Sequence, residues 1–375
     1  MPSTLIVAGE IVSGFVLLVM GGELLVRGAA ALAAAVRISP LVIGLTVVAF
    51  GTSAPELGVS LVSAYAGAPD LAIGNVVGSN ICNVLLILGL SALICPLVVS
   101  SQLIRLDVPL MVLASLALWG FARDGQLGRI DGMILFTALL IYIVVSVRKS
   151  RNESPAIVAE FADEVPPPPQ TWKGILVQLV LIGSGLVCLG LGADWLVRGS
   201  VAVARYLGVS ELIIGLTIVA IGTSLPEVVT SVVASIRGQR DIAVGNVVGS
   251  NMFNIMCVLG LSAIVAPHGM PVSADALAFD IPVAVLVALV CLPIFFSWGS
   301  ISRIEGLLLL AYFVVYIALL VLSETDPLWH ARLTSVVLWG AFPLTGVFLV
   351  VAVWDTMRTR RGATGQPQQQ TPEND

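Results

Sequence analysis

Charge is scarce in this chain: Asp, Glu, Lys and Arg make up 11% of its 375 residues, against 58% apolar. A soluble domain of that length needs far more charge on its surface, so a water-soluble globule is excluded. Only two histidines occur, His268 and His330, both in short loops. No histidine is placed for a proton relay within the apolar segments, although carboxylates could carry one. The five cysteines (Cys82, Cys95, Cys188, Cys257, Cys291) sit inside apolar segments without metal-ligand spacing, and read as small packing residues. Soft ligands for zinc or copper are missing. So are a metalloprotease HExxH, a GxSxG elbow and a large soluble output domain, which argues against an intramembrane hydrolase or receptor. Strand-like alternation is absent, so a helical bundle is expected rather than a barrel. The N-terminus lacks the basic start and cleavage site of a signal peptide, and the run from Leu5 is read as a first span. The net charge of −5 resides mostly in loops and tail, and suggests no nucleic-acid partner.

What is present is a series of apolar stretches, each about 20 residues or longer, enough to cross a bilayer core of roughly 30 Å as helix. They belong to an internal repeat. VIGLTVVAFGTSAPE (Val42–Glu56) aligns with IIGLTIVAIGTSLPE (Ile213–Glu227), and DLAIGNVVGSNICNVLLILGLSAL (Asp70–Leu93) with DIAVGNVVGSNMFNIMCVLGLSAI (Asp241–Ile264), at one constant offset. GGELLVRG (Gly21–Gly28) matches GADWLVRG (Gly192–Gly199), LDVP (Leu106–Pro109) matches FDIP (Phe279–Pro282), and RIDGMIL (Arg129–Leu135) matches RIEGLLL (Arg303–Leu309).

Each copy holds five apolar stretches, roughly 5–35, 40–66, 72–95, 105–122 and 129–148, then 172–204, 211–237, 243–266, 275–297 and 301–322; an eleventh spans about 333–354. Five is odd, so the second copy enters the membrane from the opposite side, the arrangement associated with alternating-access transport. The sequence therefore predicts an all-α integral membrane protein: an inverted repeat of two five-helix units, forming a ten-helix core, plus an eleventh C-terminal membrane helix. The expected division is a first repeat at 1–150, a cytoplasmic linker at 151–171, a second repeat at 172–323, the extra helix at 324–356 and a disordered cytoplasmic tail at 357–375. Basic residues favour the loops that are inside when the N-terminus is outside (Arg37, Arg105, Arg148, Lys149, Arg151, Lys173, Arg237, Arg240, Arg303 and Arg358–Arg361). Arg123, Arg129, Arg205 and Arg332 run against that bias. The expected location is an inner or plasma membrane, crossed many times, with the C-terminus in the cytoplasm.

The chemistry lies at Glu56 and Glu227, equivalent positions deep in apolar segments. A charge at the bilayer centre costs at least roughly 2.5–3.5 kcal/mol, and two bare carboxylates about 5 Å apart repel by roughly 3 kcal/mol at an effective dielectric near 20. A divalent cation, or protons, removes both problems. Thr52, Glu56 and Ser60 share one helix face at i, i+4, i+8, as do Thr223, Glu227 and Ser231; Ser79 with Asn83 and Ser250 with Asn254 are i, i+4 pairs. Carboxylates, amides and hydroxyls in that number suit Ca2+, which takes six to eight hard oxygens. Pro55 and Pro226 free carbonyl oxygens around Ala49–Gly51 and Ala220–Gly222. Gly74, Gly78, Gly245 and Gly249 would allow close helix approach. Ser60, Ser231, Asn80 and Asn251 suit hydrogen bonding between helices as well as ligation. Glu23–Arg27 and Asp194–Arg198 read as structural, interfacial ion pairs at the ends of the first helix of each copy.

GTSAPE (Gly51–Glu56), GTSLPE (Gly222–Glu227) and the two GNVVGSN stretches (Gly74–Asn80, Gly245–Asn251) resemble the two alpha-repeats of the calcium/cation antiporter superfamily, in its sodium/calcium exchanger branch. The resemblance covers about residues 5–322. It implies a ten-helix core whose second, third, seventh and eighth helices surround the ion sites, while the long first and sixth helices move past them. It implies ion-binding positions at Ala49 and Ala220, through backbone carbonyls, and at Thr52, Ser53, Glu56, Ser79, Asn83, Thr223, Ser224, Glu227, Ser250 and Asn254. Many members carry Asp where this chain has Asn254, so the mapped site has two acids, which balance one Ca2+ or two Na+. The implied function is Ca2+/Na+ antiport in a lipid bilayer, with no cofactor and no enzymatic activity. Coupling to H+ or K+ on the same fold stays open, with a membrane ion sensor or intramembrane enzyme as the distant alternative.

Overall fold

The computed structural model describes residues 4–36, 38–151, 171–208, 220–296 and 299–364. Arg37, nearly all of the linker, residues 211–219 and the tail beyond 364 lie outside the described residues.

The first copy opens with α1 (Thr4–Val36). A bent pair follows, α2 (Pro40–Thr52) and α3 (Ala54–Tyr65), then α4 (Pro69–Ile94), α5 (Leu103–Asp124) and α6 (Arg129–Arg151). The second copy has α7 (Trp172–Tyr206), the short α8 (Ala220–Gly222), α9 (Leu225–Ile236), α10 (Arg240–Val265), α11 (Ala276–Phe296) and α12 (Arg303–Thr325). A last helix, α13, runs over 327–364. Among the described residues nine helices are long and apolar enough to cross a membrane, or ten if α2 and α3 count as one span.

Local chemistry sets the boundaries. Ser39 caps α2, accepting from the Val42 N–H, and Pro40 occupies its first turn, where no donor is needed. Ser302 and Glu305 form a capping box at α12, and Asp326 caps α13. Both α3 and α9 end before a left-handed glycine, Gly67 at φ 77° and Gly238 at φ 75°. The stretch expected at about 333–354 starts earlier because Asp326 and Pro327 begin a helix there.

The centre of the bundle is α4 and α10, whose side chains are buried on most faces. The α2 backbone lies directly on α10: a Cβ at Gly249 would stand 2.7 Å from the Leu45 carbonyl, and one at Gly245 would stand 2.9 Å from that of Leu41. Gly245 and Gly249 thus allow the close approach expected of them. A Cβ at Gly74 or Gly78 would meet no atom within 4 Å among the described residues, so the close approach expected there is not seen among them. Outside the centre, α1 and α7 run antiparallel along a glycine seam. Gly14 faces Gly192 and Gly21 faces Gly185, each so close that a Cβ would sit 2.8–2.9 Å from the opposite carbonyl. Gly21→Leu should therefore cost about 1–3 kcal/mol by overpacking, seen as earlier heat-induced aggregation in detergent. Gly58→Leu, with open space around it, should change nothing; equal behaviour of the two variants would deny the seam its role.

Two short antiparallel ladders clip the loops. β1 (Leu97–Val98) pairs with β4 (Ser300–Ile301), and β2 (Gln126–Leu127) pairs with β3 (Met270–Pro271). Exposed Val, Leu, Ile and Phe side chains run along α1, α6, α7, α12 and α13. So large an apolar surface is stable against lipid rather than water.

Candidate cation site

The site forms where two helices break. Ser53, between α2 and α3, has φ −81° and ψ 7°, and the axis turns there by 49°. Ser224, before α9, repeats the geometry at φ −87° and ψ 4°. Pro55 and Pro226 sit in the first turns that follow and cannot donate to the carbonyl one turn earlier. Glu56 and Glu227 also occupy those first turns, where exposed N–H groups favour an acid. One expectation needs correction. The Ala49 carbonyl is not freed by the break: it accepts from the Ser53 N–H at 3.0 Å and the Thr52 hydroxyl at 3.3 Å. The carbonyl that Pro55 leaves without its helical donor is that of Gly51, four residues earlier. Ala220 is placed at the equivalent end of the second copy, in α8.

The central helices supply the other side chains. On α4, Asn75, Ser79 and Asn83 lie at i, i+4, i+8, and on α10 so do Asn246, Ser250 and Asn254. Both helices widen into π-turns at their asparagines, over Asn83–Leu88 and Asn254–Leu259, a distortion often found at functional positions.

Asn75 and Asn246 hold the broken helices in place. Asn75 donates to the Glu56 carbonyl at 3.3 Å and to Ser60 Oγ at 3.0 Å. Asn246 donates to the Glu227 carbonyl at 3.4 Å and to Ser231 Oγ at 2.9 Å. Ser60 and Ser231 thus serve as the bonds between helices that their type allowed. From the first break, bonds cross to the other copy: Thr52 Oγ1 donates to Asn246 Oδ1 at 3.1 Å, and Ser53 Oγ to Glu227 Oε1 at 3.2 Å.

Of the expected positions, Ala49, Thr52, Ser53, Glu56, Ser79, Asn83, Ser224, Glu227, Ser250 and Asn254 are all buried, whereas Thr223 is partly exposed. The two carboxylates are close enough for each charge to bear on the other. Both oxygens of Glu56, Oε2 of Glu227, the hydroxyls of Ser224 and Ser250, and Oδ1 of Asn83 and of Asn254 are buried without a hydrogen-bond partner. Native proteins rarely leave buried polar atoms unpaired, and a buried carboxylate oxygen least of all. These seven oxygens come from both copies and are hard donors of the kind that Ca2+ and Na+ accept. Among the described residues no three of His, Cys, Asp and Glu gather as a group that could hold a metal ion.

The family model for "Sodium/calcium exchanger protein" matches residues 6–148 and 177–322, both copies of the repeat. The chain belongs to the sodium/calcium exchanger family. It is 40% identical to CaxA of Alkalimonas amylolytica over 306 residues, covering 81% of this chain and 95% of that one. It is 38% identical to the inner membrane protein YrbG of Escherichia coli over 323 residues, covering 84% and 97%. Among solved structures it resembles the sodium-calcium exchanger NCX_Mj soaked with Na+ and Ca2+: TM-score 0.72, 31% identity, covering 84% of this chain and 99% of that one. The family is one of membrane transporters, and this exchanger is a multi-pass membrane protein.

Three features of the exchanger escaped the reading of its sequence. Asn75 and Asn246 were legible as the first members of the i, i+4, i+8 rows, but went unnoticed beside the acids. Cys82, read as packing, lies against Ser224 within electrostatic reach of both glutamates. Glu23 does more than pair with Arg27 on its own helix at 2.5 Å: Arg237, at the end of α9, contacts both its oxygens at 2.8 Å. That ties α1 to a helix of the ion site. Asp194–Arg198 stays within α7. The Arg237 link is half exposed, so Arg237→Gln should alter the exchange rate by at most about fivefold, within ~1 kcal/mol. Ca2+ binding should be unchanged in that variant; loss of binding would instead make Arg237 part of the ion site.

Proposed function

We propose that this exchanger moves Ca2+ against Na+ by alternating access, the two cations using overlapping oxygen sites in turn. The observation that carries the reading is the meeting of Glu56 and Glu227, one from each copy, in a buried site with unpartnered oxygens. Glu56, Glu227, Ser79, Ser224, Ser250, Asn83 and Asn254 would be the ligating side chains, with Thr52, Ser53 and Thr223 at the breaks completing the shell. Ala49 and Ala220 would add backbone carbonyls once the helix ends rearrange. Two acids neutralise one Ca2+ or two Na+. Emptied of cations they would carry bare charge through a closed interior, which is costly, and that penalty couples the two ion movements.

The strand pairing supports an inverted repeat. By the alignment of the copies β1 corresponds to β3, and β2 to β4, yet β1 pairs with β4 and β2 with β3. Two copies threaded the same way would put β1 and β4 on opposite faces. With the N-terminus outside, the β1–β4 ladder and the Glu23–Arg237 link are cytoplasmic. The last helix, α13, would be an eleventh span, attached to α12 where Tyr312 stacks on Phe342 and bonds Thr345 at 2.6 Å. An apolar cleft of about 490 Å³ between the α2–α3 bend and α7 reaches Thr52, beside the helix whose movement would open the site.

The test is Ca2+ flux into proteoliposomes under imposed gradients. An outward Na+ gradient should drive uptake without a pH gradient or K+. Uptake driven only by a proton gradient, or requiring K+, would replace Na+ as the coupling ion, and single-channel currents would remove the exchanger reading.

A further inference from the structure

We propose that Asn80 and Asn251 are positioning residues that orient the amides of Asn254 and Asn83, so that oxygen and not NH2 faces the cation. The inference rests on the reading of the cation site given above. An asparagine beside a cation is two-faced: its carbonyl attracts the ion and its NH2 repels it. Rotation about the last side-chain bond exchanges the two, so a ligating asparagine needs something to fix its sense.

The four asparagines form a clasp across the copies. Asn254 Nδ2 donates to Asn80 Oδ1 at 3.0 Å, and Asn83 Nδ2 donates to Asn251 Oδ1 at 3.0 Å. Each capture leaves a buried Oδ1 unpartnered, on Asn254 and on Asn83. The capturing residues are themselves fixed. Asn80 Nδ2 donates to the Asn251 backbone carbonyl at 3.2 Å, and Asn251 Nδ2 reaches Met111 Sδ at 3.5 Å. All four side chains are at least nine-tenths buried. A clasp that only joined helices would gain nothing from leaving its outer oxygens bare. Here every NH2 group of the four is taken up by an acceptor, and each copy holds the amide of the other's ligand.

The clasp also constrains residue 254. Asn80 presents it with an acceptor, which suits an amide and opposes a carboxylate. An Asp at 254 would face oxygen against oxygen unless Asn80 turned over and gave up its bond to the Asn251 carbonyl. The neutral residue at this position is thus matched by its surroundings.

The experiment is a double-mutant cycle on the purified full chain, reading Ca2+ binding by calorimetry and the KM and maximal rate of Ca2+ uptake in proteoliposomes. Asn80→Leu should raise the Ca2+ Kd and KM about tenfold, the loss of one ligand–ion contact, with the maximal rate nearly kept. Asn254→Ala should do the same, and the double variant should be no worse than Asn254→Ala alone. A carboxylate has oxygen on both sides and needs no orientation, so adding Asn80→Leu to Asn254→Asp should cost less than about twofold. Additive losses, or an equal loss in the Asn254→Asp background, would show that Asn80 only supports the fold and overturn the proposal. If Asn80→Leu does not fold, the mirror cycle of Asn251→Leu with Asn83→Ala and Asn83→Asp decides by the same criteria. Absence of Ca2+ binding by the wild-type chain would refute the cation site, and this inference with it. Binding with an additive cycle refutes only the inference.

Discussion

Glu56→Gln and Glu227→Gln should each reduce Ca2+ exchange at least about 100-fold while the protein still inserts and purifies. Removing one partner from a buried charge assembly typically costs about 3–5 kcal/mol, which is roughly two to three and a half decades in affinity. The two variants should differ in detail. Both oxygens of Glu56 lack a partner, so it can grip an ion with both. Glu227 has one oxygen engaged by Ser53, leaving Oε2. Removing the charge at either position also relieves the repulsion between the two acids in the ion-free protein. The ion-free variants should therefore melt no lower than the wild type in detergent. Ca2+ should raise the melting temperature of the wild type, by mass action on the folded state, and leave that of both variants unmoved. A fall in ion-free stability together with a retained Ca2+ shift would mean that the glutamates hold the bundle together and bind nothing. Exchange at the wild-type rate in both variants would remove the transport assignment altogether.

Much of this architecture was legible because a repeat states each feature twice. The prolines, the acids and the GTS turns recur at one offset, and both helix breaks fall where those residues predict, at Ser53 and Ser224. Apart from the last run, whose helix extends over 327–364, and the run from 211, whose start lies outside the described residues, the apolar runs marked the helices to within a few residues, since only long uninterrupted stretches can cross lipid. What the sequence hid were relations between the copies. Nothing in GNVVGSN says that Asn80 grips Asn254 rather than a neighbour on its own side. Nor does it say that Ser53 bonds the other copy's glutamate. Arg237 lies at a helix end where basic residues are common, and only the packing of α1 on α9 brings it to Glu23. The Ala49 carbonyl was misjudged for a related reason. A proline frees the carbonyl four residues before it, Gly51 here, but whether Ala49, two residues further back, is also free depends on the turn at Ser53, which φ and ψ decide.

Asn246→Leu should weaken Ca2+ exchange about as severely as a glutamate change, though Asn246 would not touch the ion. Asn246 has no exposure to solvent. It donates to the Glu227 carbonyl and Ser231, and accepts from Thr52 of the other copy. A leucine has similar bulk but removes three bonds, to the Glu227 carbonyl, Ser231 and Thr52, each worth roughly 0.5–1.5 kcal/mol net. That loss falls on the residues that aim Glu227 and Thr52 at the site. The expected result is a rise of about 100-fold in the Ca2+ KM, roughly 2.7 kcal/mol. Ser231→Ala removes only one of the three bonds, and should change KM less than about threefold. Asn246→Asp separates the functions: it keeps the acceptor for Thr52 but loses both donors, so its KM should lie between the other two. If all three variants lose thermal stability and keep the wild-type KM, Asn246 braces the bundle without aiming the acid. A graded KM at nearly constant stability would mean that the helix breaks are rigid because the ion needs its oxygens placed before it arrives.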